Sequence, residues 1–145
     1  MLGHRSPKAR LFQALTILWI GVIFAFSLQD GLASSRTSGY LSSTLQTLLA
    51  YLNLYPEPVL IAWFIRKSAH LIEYFILGSL ALQAAPLFKR IPFYAVVFLV
   101  PLLDETLQHF VPGRAGTLDD VAIDVIGLIL AYGVWRWLGK TKQNL

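Results

Sequence analysis

The stretch IPFYAVVFLVPLLDETLQHF, residues 91–110, reads as two unlike halves. Residues 91–103 carry no charge, and Asp104, Glu105, Gln108 and His109 then follow in quick succession. The whole stretch has the length of about 20 residues that crosses a bilayer as a helix. On such a helix Asp104 and Gln108 stand one turn apart on one face, with Glu105 three residues from Gln108. A lone Asp at the centre of a membrane helix costs about 2.5–3.5 kcal/mol. The polar half must therefore face other protein rather than lipid, which predicts a bundle with a polar interior at one end.

Three further stretches approach spanning length, at 11–28, 69–88 and 119–138. Residues 11–28 carry no charge, whereas Lys67, His70 and Glu73, or Asp119, Asp120 and Asp124, stand at or just before the first turns of the other two. Lys and Arg cluster before the first stretch (Arg5, Lys8, Arg10), between the second and third (Lys89, Arg90) and at the end of the fourth (Arg136, Lys140, Lys142). Positive charge marks the cytoplasmic side. All three clusters fall there if four spans alternate, so both termini are expected in the cytoplasm. The chain is then a single all-α membrane domain over 1–145 with four transmembrane helices.

The first extracytoplasmic loop is long, and within it Leu41, Leu45, Leu48, Leu49 and Leu52 recur at helical spacing among Ser, Thr and Gln. This predicts an amphipathic helix on the outer surface or capping the bundle, ended by Pro56 and Pro58.

Composition agrees: of 145 residues, 56% are hydrophobic and 14% charged, with a mean hydropathy of +0.60. Soluble domains carry about 25% charged residues. The net charge of +4 is spread over flanks and loops, with no basic groove to hold nucleic acid. The absence of cysteine excludes disulfides and thiolate metal sites. Arg5, Lys8 and Arg10 before an apolar run imitate a secretory signal. The apolar core of such a signal usually runs to about 7–15 residues, which the stretch 11–28 exceeds. The reading is a retained anchor.

With alternating spans, the polar residues of three separate segments lie at one depth, near the outer boundary. Lys67, His70 and Tyr74 share a helix face, as do Asp120, Asp124 and Gly127. Gly127 adds room for close helix approach. Pro101, one turn before Asp104, should loosen the local hydrogen-bond ladder. Between the last two spans, Pro112-Gly113 marks a turn. Arg114 is placed to fold over the pocket, onto a carboxylate or an anionic ligand. Thr117, Asp119 and Asp120 read as the start of the last helix.

Lys67-x-x-His70-x-x-x-Tyr74, Asp104-Glu105-x-x-Gln108-x-x-x-Pro112-Gly113-Arg114 and Asp120-x-x-x-Asp124-x-x-Gly127 resemble the VanZ-like family in order and spacing. The likeness runs over nearly the whole chain. It implies a multi-pass protein of the bacterial cytoplasmic membrane with a small helical fold. The founding member is associated with resistance to the lipoglycopeptide teicoplanin. Many relatives carry Asn where this chain has Asp124, so its pocket holds an extra carboxylate.

The first functional reading is a binding site for an anionic lipid or a cell-wall precursor lipid. Lys67, Arg114 and a protonated His70 would hold the head group, with Tyr74, Asp104, Gln108 and Asp124 completing the ligand-binding set. The second is an intramembrane hydrolase or transferase acting on a lipid, with His70 as general base and Glu105 and Asp120 orienting it or holding a cation. Only that reading brings in a metal, Mg²⁺ or Mn²⁺. The spacing matches no metal motif, so metal ligands stay unassigned. A third reading is a bundle in which paired charges merely set helix register. Proton-coupled transport is the weakest, because the charges crowd one leaflet and leave no relay across. Trp19, Trp63, Trp135 and Trp137 read as interfacial residues, and Gln83 as an interhelical partner. Neither the oligomeric state nor the ligand follows from these residues.

Overall fold

The computed structural model describes residues 7–84, 93–114 and 116–143, with 93–97 and 140–143 given by backbone alone. Arg5, Lys89 and Arg90, and the side chains of Lys140 and Lys142, on which the orientation leans, lie outside the described residues. So do the inner ends of the second and third expected spans.

Five helices account for the fold, and no strand occurs among the described residues. They are α1 (Pro7–Ser27), α2 (Gly31–Tyr51), α3 (Pro58–Ala84), α4 (Phe93–His109) and α5 (Leu118–Gln143). Pro58 opens α3, at the position where a missing N–H costs nothing. Pro58 thus starts α3 well before the expected boundary at residue 69 rather than only breaking the chain. The Asp30 carboxylate caps α2 by accepting from the Ala33 N–H at 2.7 Å, which satisfies one of the free donors of its first turn. At the other end of α2 Asn53 turns left-handed, with φ of 57°. The Leu54 N–H there closes back on the Leu49 carbonyl at 3.0 Å, the kind of bond that ends many helices. Pro101 is accommodated inside α4.

By length and composition, α1 and residues 118–139 of α5 can cross a membrane. The other helices are more polar or shorter. α3 carries Arg66, Lys67, His70 and Glu73 along its middle, and α4 is described over 17 residues.

α3 makes its most extensive interface with α5. The two run parallel, since Lys67 meets Asp120, His70 meets Asp124, and Gly78 lies against Leu128 and Ala131. α1 runs antiparallel to α3: Trp19 lies level with Glu73, while Phe26, further along, shares a cleft with Arg66. α4 runs the same way as α1. Ile23, Tyr74, Leu77, Ala81, Val100 and Leu128 form the apolar core, with Trp19, Ile20 and Phe24 packed against it.

The usual distribution of polarity is reversed. Asp104 (1% exposed), Asp120 (1%) and Asp124 (0%) are inside, whereas Ile17, Leu18, Ile72, Leu99, Leu103, Ile126 and Ile129 face outward. Charged groups are almost never fully buried in a water-soluble domain unless paired. Lipid as the surrounding solvent produces this arrangement.

α2 forms where the leucine spacing predicted a helix, but its orientation differs from a simple apolar-face docking. Its serine side, Ser34, Ser35, Ser38, Ser42 and Gln46, borders Pro58, Ala62 and Arg66 of α3. Leu41, Leu48, Tyr40 and Tyr51 (81% exposed) stay uncovered by the bundle. The Ser42 hydroxyl turns back onto its own helix, donating to the Ser38 carbonyl at 2.7 Å. Serine can satisfy its donor in this local way, so a polar seam packs without stranding its hydroxyls.

Close approach of α3 and α5 depends on Gly127. A Cβ there would stand 2.6 Å from the Leu71 carbonyl oxygen and 3.1 Å from the Phe75 nitrogen. Gly127→Val is therefore expected to lower the apparent Tm in detergent, by about 1–3 kcal/mol of overpacking. Gly133→Val, where nothing lies within 4 Å, should leave it nearly unchanged. Equal melting of the two variants would contradict this packing.

Candidate functional site

The ionisable residues meet where the ends of α1 and α4, the start of α5 and the middle of α3 come together. Thr117 shapes the start of α5. Its hydroxyl donates to the Asp120 carboxylate at 2.9 Å and accepts from the Asp120 N–H at 3.3 Å, the latter being the bond by which a threonine caps a helix N-terminus. That leaves Asp120 Oδ1 for Lys67, whose ammonium donates at 2.6 Å. One turn further in, Asp124 Oδ1 lies 3.0 Å from His70 Nδ1. The sequence names Glu105 and Asp120 to orient His70 or hold a cation, whereas the carboxylate in hydrogen-bond reach of His70 is that of Asp124.

α4 contributes Asp104, Glu105 and Gln108, all buried. The Ser27 hydroxyl, at the end of α1, donates to the Asp104 carboxylate. Gln108 Nε2 donates to Glu105 Oε1 at 3.3 Å and reaches Asp104 Oδ2 at 3.5 Å, while Glu105 Oε2 accepts from the Thr117 N–H at 2.8 Å. Arg114 does fold over the site. It donates to the Phe26 carbonyl at 2.7 Å and to Gln108 Oε1 at 2.9 Å, not to a carboxylate. Partial burial draws its pKa below the usual arginine range, against the pull of Asp104 in the other direction. A guanidinium remains charged regardless. The turn that carries it depends on Gly113, at φ of 73°, a conformation that glycine adopts without steric cost. That turn is tied to α2 by the Gly31 N–H, which donates to the Pro112 carbonyl at 3.0 Å.

All nine residues singled out from the sequence therefore lie in or against one site: Lys67, His70, Tyr74, Asp104, Glu105, Gln108, Arg114, Asp120 and Asp124. Tyr74 is fully buried below it, its hydroxyl making no hydrogen bond of ordinary geometry. His109 lies outside, edge-on to Phe110, and Gln83 bonds the Ser79 carbonyl of its own helix rather than a neighbour. Trp19, read as interfacial, instead donates its indole N–H to the Glu73 carbonyl at 2.9 Å.

Arg66 stands apart, because nothing in the sequence singled it out. A cleft of about 210 Å³ beside the cluster is bordered by both Arg66 and Arg114. His70, Glu73, Gln108, Ser27, Ser34, Thr37 and Ser38 supply its other polar edges, and Phe26, Leu41 and Ile65 are among the apolar ones. Arg66 precedes Lys67, so helical periodicity turns it toward α2. Only the docking of α2 makes that side part of a cleft. Among groups that could hold a metal, His70, Asp104, Glu105 and Asp124 each offer an atom within 4.8 Å of the others.

These features define a helical membrane protein with its charged residues enclosed at one end of the bundle. A family model described as VanZ/LLP1 matches residues 12–139, and the chain belongs to that family. No curated protein matches it. No solved structure matches either.

Lys67 is the ammonium that balances Asp120, and both side chains are largely buried. Lys67→Met should destabilise the protein by about 3 kcal/mol, the scale for stranding one half of a buried pair. Adding Asp120→Asn should recover part of that loss. Thermal melts of the single and double variants measure the coupling, and strictly additive losses would show that the pair is not a unit.

Proposed function

We propose that this chain binds the head group of an anionic amphiphile in the cleft between Arg66 and Arg114, at the outer leaflet of the bacterial cytoplasmic membrane. One observation carries this reading: two guanidinium groups, one on α3 and one on the α4–α5 turn, border the same cleft among hydroxyls, a buried glutamine and His70, outnumbering its single carboxylate, Glu73. Planar, permanently charged guanidinium groups suit phosphate and carboxylate oxygens. Lys67 acts indirectly, since Asp120 already holds it. Phe26 and Leu41 line the cleft yet are each 48% exposed, offering an apolar track on which an acyl or isoprenoid tail leaves toward lipid.

In this reading α1, α3, α4 and α5 cross the membrane and both termini are cytoplasmic. α2 lies in the first extracytoplasmic loop with its exposed Leu and Tyr residues at the headgroup level, where amphipathic aromatic rings settle. The alternating helix directions support that topology. A cell-wall precursor lipid as the ligand would connect the site with the teicoplanin resistance associated with the family.

Native mass spectrometry of gently purified protein tests the binding. Wild type should retain a defined anionic lipid or isoprenoid, and Arg66→Ala/Arg114→Ala should lose it by at least about 10-fold, the scale of about 1.4 kcal/mol in binding. Equal retention of unspecific membrane lipid by both proteins would remove the proposal. The topology is checked separately with Arg36→Cys, Lys89→Cys and Lys142→Cys in whole cells. An impermeant maleimide should label position 36 only, and labelling at 89 from outside would overturn the four-span arrangement.

A further inference from the structure

His70, Asp104, Glu105 and Asp124 converge from three helices, all buried, and His70 alone of the four also lines the cleft. Asp120 has its lysine, and Asp124 has His70. Among the described residues, no lysine or arginine forms an ion pair with Asp104, Glu105 or Asp124. Arg114, the nearest candidate, spends its hydrogen bonds on Gln108 and a backbone carbonyl. Asp124 is entirely enclosed, and its Oδ2 has no hydrogen-bond partner at all. A buried carboxylate oxygen without a donor is costly. That orphaned oxygen, beside two further buried carboxylates with no cationic partner and one imidazole, leaves room in their chemistry for a compensating cation.

The distances suit one. Ligand atoms held at about 2.0–2.2 Å from a single ion can stand at most about 4.4 Å apart. No pair in this group exceeds 4.8 Å, so modest side-chain rotation closes the site. The supports for such a site are also in place. Ser27 donates to Asp104, and Gln108 and the Thr117 N–H donate to Glu105. Such outer contacts orient the Asp104 and Glu105 oxygens, each of which keeps a further lone pair for an ion, while Asp124 Oδ2 is unengaged. One imidazole with three carboxylates is a mixed nitrogen and oxygen set. Imidazole suits Zn²⁺ and carboxylate suits Mn²⁺, whereas an all-oxygen set would favour Mg²⁺ or Ca²⁺.

We infer that His70, Asp104, Glu105 and Asp124 form a binding site for one divalent transition-metal cation of the Mn²⁺ or Zn²⁺ kind. The inference does not require the head-group reading. If both hold, His70, which lines the cleft as well, places the cation where it can take an oxygen of the bound head group.

The experiment uses Mn²⁺ alone with the purified full chain in detergent at pH 7.5, following free Mn²⁺ by electron paramagnetic resonance. Wild type should bind one Mn²⁺ per chain, displaced by Zn²⁺, and should melt at a higher temperature with the ion than without it. Asp104→Asn/Asp124→Asn should weaken binding by at least about 10-fold, the minimum expected when groups that orient or hold a metal are lost. His70→Gln gives the same readout should that double variant fail to fold. Affinity should also fall as the pH is lowered, because protons compete for the same imidazole and carboxylate atoms. Absence of stoichiometric uptake by wild type overturns the site, as does binding unchanged by these substitutions. Arg66→Ala/Arg114→Ala should retain the ion. Should wild type hold no specific lipid while Mn²⁺ binding stays intact, the head group is dismissed and the metal site stands.

Discussion

Burying a carboxylate in a bundle surrounded by lipid is tolerable only if something of opposite character meets it. Lys67 and His70 lie three residues apart on α3, and Asp120 and Asp124 four residues apart on α5. Because the helices run parallel, the Lys67 ammonium and the His70 imidazole each fall opposite one carboxylate, and the two contacts help to set the register of the α3–α5 interface. Gly127 and Gly78 then let the backbones approach below them. α4 and α1 are drawn to the same end by Asp104, Glu105 and Ser27. An apolar ring of outward-facing side chains is what remains for the lipid.

The enclosure separates two regions with different chemistry. Toward α2 lies a cleft edged by guanidinium and hydroxyl groups, suited to an anion. Beneath it the carboxylates gather around His70, suited to a cation. Gln108 and Arg114 stand between them: Gln108 donates toward the carboxylates and accepts from Arg114, so one amide transmits the polarity of each region to the other. The turn holding Arg114 is in turn fastened to α2 through Gly31. Movement of α2 would therefore shift the arginine that borders the cleft.

Much of this was legible in the chain itself. A carboxylate or histidine appears in one half of each of three apolar stretches, and periodicity alone puts Asp104 with Gln108 and Asp120 with Asp124. Read as alternating spans, those stretches bring their polar halves together, which is how all nine residues could be named beforehand. The start of α5 at Thr117 and the helix over the leucine repeat follow from local chemistry in the same way. The early start of α3 did not, because Pro58 reads equally well as a break and as a first helical residue.

Helical periodicity fixes which face of a helix a side chain occupies, so the amino-acid sequence by itself determined the helices, their polar faces and the convergence of the ionisable groups at one end. Which partner each group finds depends on how one helix is rotated and shifted against another. That is settled only when the helices pack, by the two ion pairs and the close approach at Gly127 and Gly78 together, all contacts between residues far apart in the chain. Only the tertiary structure therefore assigned Asp120 to Lys67 and Asp124 to His70. It alone placed the serine side of α2 against α3, and with it Arg66 at the edge of the cleft.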